Sequence, residues 1–336
     1  MSNIKKIQNF KEIKKVLVIQ FKPFGDVFLT SALFEPIKTK LPYIELSLLV
    51  FHPFQLPVVG HPFLDNIIVY KRKNGIIDFI NRVRLYRKLQ KQKFDLVIDL
   101  QNDPGSQQAT FFSFAKYRIG YKHGQFSFFY NYKSIEGKPR YAASRRFDIL
   151  QPLGIVEESW RLYYTITESS KLYIDRWLQS IGLIRSNFII ISPGSPVASK
   201  KWESQCYSDL ADIIIEKLGL SVILLWAKSE LVDCEKIQKT MRNNAVIAIP
   251  TDLNQAAALL KNTKLLICND GGLNHISCAT ETKTIAIFGH TSPLDWSPSS
   301  VFSHHHHIYN NACKDKKDTT FGITIDEVFA KILEIL

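Results

Sequence analysis

Short, mostly apolar runs alternate with longer amphipathic ones from residue 16 to residue 100, and the same alternation starts afresh at Phe188. In the first round VLVIQ (16–20), residues 46–50 and residues 94–100 read as buried strands, with helices expected over 26–40 and 77–91. In the second round FIIIS (188–192), 222–226, 264–268 and 284–288 read as strands. Helices are expected there over 204–218, 231–241, 252–262 and 325–336, with a short one after Gly271-Gly272. Strands buried on both faces and joined by helices can only form parallel sheets covered on both sides. A chain of 336 residues has room for about two such domains. The expected fold is therefore α/β, with two Rossmann-like doubly wound domains facing a central cleft, where such domains hold ligands at the carboxyl ends of their strands. The domains are expected at 1–165 and 188–322, with a linker at 166–187 carrying a helix over 171–182, and a C-terminal helix at 323–336.

Composition narrows the partners. With 43 Lys and Arg against 31 Asp and Glu, the net charge of +12 favours an anionic ligand or surface. Nucleic acid is not expected, because no nucleic-acid motif accompanies the charge and the aromatic residues of an α/β chain mostly fill its core. Five cysteines without a C-x-x-C pair point to reduced thiols, with no disulfide framework and no metal site. No apolar run reaches the roughly 18 residues needed to cross a bilayer, and MSNIKKIQNFKEIKK lacks a signal-peptide core, so a cytoplasmic protein is expected. The run His304–His307 reads as a solvated loop, since four consecutive histidines cannot all aim at one ion.

Three segments carry candidate chemistry. In VLVIQFKPFGDVFLTSAL (16–33), Asp26 follows a strand and Gly25 at the start of a helix. It reads either as an N-cap or as a base that takes a proton from a substrate hydroxyl. The spacing fits neither G-x-G-x-x-G nor a P-loop. In SPGSPVASKKW (192–202), small residues after a strand admit an anion to backbone amides, and Lys200 and Lys201 either add positive charge there or line a solvated face. In LLICNDGGLNHISCATETKTIAIFGHTSPLDWSP (265–298), a strand runs into Asp270-Gly271-Gly272 and a short helix bearing His275. Amides at that helix start can meet a diphosphate, with His275 one turn in.

Gly25-Asp26, Lys200 two places before Trp202, Asp270-Gly271-Gly272-Leu273-Asn274-His275, Phe288-Gly289 and Trp296 together resemble glycosyltransferase family 9, the bacterial heptosyltransferases of the lipopolysaccharide inner core. The resemblance spans nearly the whole chain. It implies a GT-B architecture and an inverting, metal-independent transfer of a heptose or related sugar from an ADP-sugar to a core acceptor, with no cofactor beyond the nucleotide-sugar substrate. It also implies an anionic glycolipid acceptor and peripheral attachment at the inner face of the plasma membrane. Asp26 resembles the catalytic base and Lys200 the lysine on the donor's phosphates. Asp270, Gly271, Gly272 and His275 resemble the donor-binding turn, and Glu230 stands near the place of the acid on the adenosine ribose. Lys22, Arg145 and Arg146 are the candidates on the acceptor side, and the basic residues Lys71–Lys73, Arg82, Arg84, Arg87 and Lys88, with Arg145-Arg146, are candidates for a face toward an anionic acceptor and membrane. Two features differ from the family's pattern. Arg is frequent near Gln20 and small Ser residues near Lys22-Pro23, where this chain reads QFKPFGD; and many members carry a cysteine cluster before the last helix, where only Cys313 stands. Other readings are another donor or acceptor on the same GT-B frame, a nucleotide-sugar epimerase, or a non-catalytic homologue.

Overall fold

The apolar runs become the inner strands of two parallel sheets, as burial on both faces requires. The computed structural model describes residues 4–313, 315 and 317–336. It divides into two compact units, Met1–Tyr164 and Thr165–Leu336.

The first unit holds β1 (Lys15–Gln20), β2 (Glu45–Phe51), β3 (Asn66–Tyr70), β4 (Leu96–Asp99), β5 (Tyr117–Tyr121) and β6 (Tyr132–Ser134). Their order across the sheet is β3-β2-β1-β4-β5-β6, with every neighbouring pair parallel. Its helices are α1 (Phe24–Thr30), α2 (Phe34–Lys40), α3 (Gly75–Gln92), α4 (Pro104–Phe112) and the single turn α5 (Ala142–Arg145), followed by a 3₁₀ stretch over Arg146–Leu153. Leu17, Ile19, Leu49, Leu89 and Val97 form the centre of one core layer. The helix expected over 26–40 is two helices with a 3₁₀ turn at Ser31–Leu33 between them. Pro36 has no N–H to donate to the carbonyl four residues back, so the α-helical ladder is interrupted there.

The second unit holds α6 (Glu168–Ser180), β7 (Phe188–Ser192), α7 (Ser204–Leu218), β8 (Ser221–Leu224), α8 (Leu231–Thr240), β9 (Val246–Ile247) and α9 (Leu253–Leu260). It continues with β10 (Leu265–Asn269), α10 (Gly272–Ala279), β11 (Thr284–Phe288), α11 (Pro293–Trp296), β12 (His305–Tyr309) and α12 (Ile325–Ile335). The sheet order is β12-β11-β10-β7-β8-β9, again all parallel. Numbered within its own unit, each sheet therefore has the strand order 3-2-1-4-5-6 of a dinucleotide-binding fold. The stretch 166–187 contributes α6, which lies against α9, and the terminal helix α12 lies against α7. Both belong to the second unit. Among the described residues no helix is long and apolar enough to cross a membrane.

The histidine run is not a solvated loop. His305–His307 form the start of β12 and pair with Thr284–Ala286 of β11. Alternation along the strand puts His305 and His307 on one face and His306 on the other: His305 is 1% exposed with Nε2 2.9 Å from Ser277 Oγ, and His307 Nδ1 sits 2.9 Å from Ser297 Oγ. Burial drives the His305 imidazolium well below its ordinary range, so the ring is neutral and serves the interior.

Candidate active site

In an open parallel sheet the ligand crevice opens where the strand order reverses, between the first and fourth strands of the unit. Asp26 lies at that point in the first unit, in the first turn of α1 after β1. It does not cap the helix. Pro23 holds the N-cap position, and the Asp26 amide bonds the Pro23 carbonyl at 2.9 Å. The Asp26 carboxylate instead accepts from Arg146, Nη2 to Oδ1 2.5 Å. Arg146 is 9% exposed, and its other donors reach Thr30 Oγ1 at 3.1 Å and the Ala142 carbonyl at 3.1 Å. Thr30 donates to the Asp26 carbonyl at 2.9 Å and accepts from Gln20 Nε2 at 3.2 Å, and Gln20 Oε1 takes the Lys22 amide at 3.2 Å. One network thus joins the end of β1, the candidate base and Arg146. Arg145 is half-buried beside it and the Lys22 side chain is exposed.

The end of β4, next to β1, carries a group that the sequence reading passed over. Asp99 is fully buried and accepts from Tyr130 Oη at 2.7 Å and from the amides of Gln101 and Asn102 at 3.0 and 3.1 Å. Burial outweighs these bonds and pushes its carboxyl up to about 6. Gln101 Oε1 accepts the Phe21 amide at 3.0 Å, tying the loop after β4 to the loop after β1.

In the second unit the reversal falls between β7 and β10. Lys200, in a 3₁₀ turn after β7, meets Asp270 after β10, with Nζ 2.5 Å from Oδ2. Thr291, after β11, donates to the same oxygen at 2.9 Å. Lys201 goes elsewhere, to Asp233 of α8 at 2.6 Å. The loop is held by Asn269, the polar last residue of an otherwise apolar strand. Its Oδ1 accepts the Trp202 amide at 3.0 Å and Tyr207 Oη at 2.9 Å, and its Nδ2 donates to the Pro193 carbonyl at 2.7 Å.

Helix α10 starts beside Asp270. Gly271 is its N-cap and supplies no side-chain bond, whereas α4, α9 and α12 close their first turns with capping boxes. Its first amides are thereby uncapped by side chains, and a Cβ at Gly272 would meet no protein atom within 4 Å. That is the local chemistry of an anion cradle. His275, 4% exposed, stands one turn in, its ring 6.3 Å from that of Trp296. Glu230 precedes α8 and accepts the Ala227 amide at 3.1 Å. It lies so close to the loop after β7 that a Cβ at Gly194 would come within 2.1 Å of its Oε2. Lys200, Asp270, Gly271, Gly272 and His275 are thus gathered at or beside one switch point, with Glu230 against the neighbouring loop. Among the described residues no group of three or more His, Cys, Asp or Glu is arranged to hold a metal ion.

The chain is similar to the lipooligosaccharide heptosyltransferase 2 of Haemophilus ducreyi, 24% identical over 303 residues that cover 85% of this chain and 86% of the relative. Its fold matches the crystal structure of a family 9 glycosyltransferase from Veillonella parvula at a TM-score of 0.84, with 21% identity and 96% and 97% of the two chains covered. It also matches the ADP-heptose lipopolysaccharide heptosyltransferase II of E. coli at a TM-score of 0.77, with 19% identity and 96% and 98% covered. These likenesses and the two doubly wound sheets define an α/β fold of the GT-B class. The sequence model of glycosyltransferase family 9 (heptosyltransferase) matches residues 82–322, and the chain belongs to that family.

Proposed function

We propose that the protein transfers a heptose or closely related sugar from an ADP-sugar to the core region of a lipopolysaccharide or lipooligosaccharide acceptor, with inversion at the anomeric carbon and without a metal ion. The observation that carries this reading is the meeting of Lys200, Asp270 and Thr291 beside the side-chain-uncapped start of α10. The relatives named as lipooligosaccharide and ADP-heptose heptosyltransferases supply the sugar and acceptor.

In this mechanism Asp26 takes the proton of an acceptor hydroxyl as its oxygen attacks the anomeric carbon. The bond from that carbon to the diphosphate breaks, and the electron pair leaves on ADP. Lys200, His275 and the first amides of α10 hold the growing negative charge, a task for which fixed dipoles and cations suffice. Asp270 aims Lys200, and Glu230 serves the ribose. Arg146 holds one oxygen of Asp26, leaving the other for the hydroxyl. The acceptor is an anionic glycolipid, and the enzyme works in the cytoplasm as a peripheral protein at the inner leaflet.

The test has two arms. Thermal stabilisation by ADP, but not by UDP, GDP or CMP, is expected in the presence of EDTA. Asp26→Asn is expected to lower turnover at least about 100-fold while the ADP-induced shift persists. Stabilisation by another nucleotide alone would replace the donor, and near-normal turnover of Asp26→Asn would remove the base.

A further inference from the structure

Helix α3 is built the wrong way round for a helix that ends at solvent. An exposed helix normally turns its polar residues out and its apolar ones in. Here the single acidic residue of α3, Asp78, faces inward at 9% exposure. It accepts from Tyr70 Oη at 2.7 Å, from the Lys73 amide at 3.0 Å and from Arg82 Nε at 3.2 Å. The apolar residues around it face outward: Ile76 is 75% exposed, Ile77 58%, Phe79 61% and Ile80 43%. The Asp78 latch fixes the start of the helix to the end of β3, so this apolar turn is presented on a rigid element. Further along, Leu85 and Leu89 take over the core side, and the outward line from Ile76 and Ile80 continues through Val83 to Arg87, at spacings of four, three and four. Arg84, Arg87 and Lys88 are exposed, as are Lys71, Arg72 and Lys73 immediately before the helix.

We propose that the first two turns of α3 are a membrane-docking element, with Ile76, Ile77, Phe79 and Ile80 entering the headgroup boundary of an anionic bilayer and the flanking Lys and Arg side chains lying on its phosphates. The charge pattern selects this occupant. With Asp78 turned inward, the outward face carries apolar and cationic groups and no acid. A second copy of the same face would bring like charges together in a self-complementary contact. Nucleic acid would leave four large apolar side chains without a purpose. An anionic leaflet satisfies both halves, since apolar burial and electrostatic attraction of the basic residues act together at such a surface.

The inference deepens the peripheral attachment in the proposed function and rests on that reading for the bacterial inner leaflet; the vesicle measurement itself requires no donor or acceptor. The full-length protein is floated with vesicles of phosphatidylethanolamine and phosphatidylglycerol, or of phosphatidylcholine alone. Binding to the anionic vesicles is expected, with a loss of at least about tenfold for Ile76→Ser/Phe79→Ser and for Lys71→Gln/Arg72→Gln/Lys73→Gln. The melting temperature and the ADP-induced shift of each variant report whether it is folded. A Phe79→Trp variant is expected to gain quenching by lipids brominated near the headgroup, relative to the unsubstituted protein. Equal binding to neutral and anionic vesicles, no binding to either, or unaltered binding by folded Ile76→Ser/Phe79→Ser would overturn the proposal. So would a concentration-dependent dimer that disappears in that variant, which would make the face a contact between copies. A chain that floats with anionic vesicles yet transfers no heptose would leave the docking element standing and refute the proposed function instead.

Discussion

Replacing Arg146 by methionine keeps most of the side-chain volume and removes a guanidinium with three acceptors, Asp26 Oδ1, Thr30 Oγ1 and the Ala142 carbonyl. The Arg146 side chain is 10% exposed and that of Asp26 23%, so the pair lies between a buried ion pair and a surface one. Breaking a buried pair from one side costs about 3–5 kcal/mol, and an exposed pair contributes about 0–1. Water can reach the Asp26 carboxylate, whereas the Ala142 carbonyl and one lone pair of Thr30 lose their donor inside the protein, at about 1 kcal/mol each. The expected loss is therefore about 2–3 kcal/mol. For a unit of this size it lowers the first unit's melting temperature by about 4–12 °C. Hydrogen exchange of β1 peptides under a thermal or urea ramp assigns the loss to that unit. In a double-mutant cycle with Asp26→Asn, the two substitutions should couple by at least about 1 kcal/mol. In the transfer assay Arg146→Met should lower kcat more than it raises the acceptor KM, because the base loses its orientation while the acceptor's own contacts stay. A stability change within about 0.5 kcal/mol, or additivity in the cycle, would refute the reasoning.

Gly194→Ala places a Cβ 2.1 Å from Glu230 Oε2, so Glu230 must move; ADP-induced stabilisation should shrink while the unliganded melting temperature changes little. Gly120→Ala drives a Cβ to 2.2 Å from the Tyr130 ring, which displaces Tyr130 from Asp99, and a stability loss of about 1–3 kcal/mol by urea unfolding is expected. His61 is buried among Phe34, Phe63 and Tyr163, and burial pulls it from 6.5 to about 4. The unfolded chain therefore takes up its proton first as pH falls, and stability drops between about pH 6.5 and 4. His61→Phe should flatten that slope, and an unchanged slope would exclude His61 as its source. Asp99 titrates in the opposite sense. Its folded value of about 6 lies above the ordinary 3.8, so its contribution declines as pH rises through that window and Asp99→Asn should remove the decline.

The parts legible in the sequence are those whose signal is periodic and continuous. FIIIS and LLICN could only be inner strands, and the helix expected over 204–218 is α7 itself, with Gly219 ending it in a left-handed turn. What escaped was short, mixed or at an edge. β3 (NIIVY), β5 (YRIGY) and β6 (YKS) lie toward or at the edge of their sheet; each is short, and in β5 and β6 charged and small residues dilute the apolar run. The start of α4 did carry a signal, Asp103-Pro104 followed by Ser106, which closes a capping box. In the site, the residue types at the strand ends were readable because glycine and acid interrupt the apolar pattern. Their partners were not, since Arg146 meets Asp26 across 120 positions of chain and Asn269 reaches Pro193, Trp202 and Tyr207 on separate segments. Polar residues closing apolar runs, Gln20 after VLVI and Asn269 after LLIC, were the available hints.

Each sheet is assembled from one uninterrupted stretch of chain, and α12 ends on α7 of its own unit. During synthesis all six strands of the first sheet have therefore left the ribosome before any residue of the second is made. Domains that complete themselves in this way fold as the chain emerges, from the N-terminal end. Asp26 and Arg146 can thus find one another while the sequence for Lys200 and Asp270 is still being translated. A truncation inside the second half should spare the first sheet, whereas a lesion in β1 or β4 leaves the nascent chain with an unfinished sheet from its first minutes, a species prone to recruitment by chaperones and to edge-to-edge aggregation.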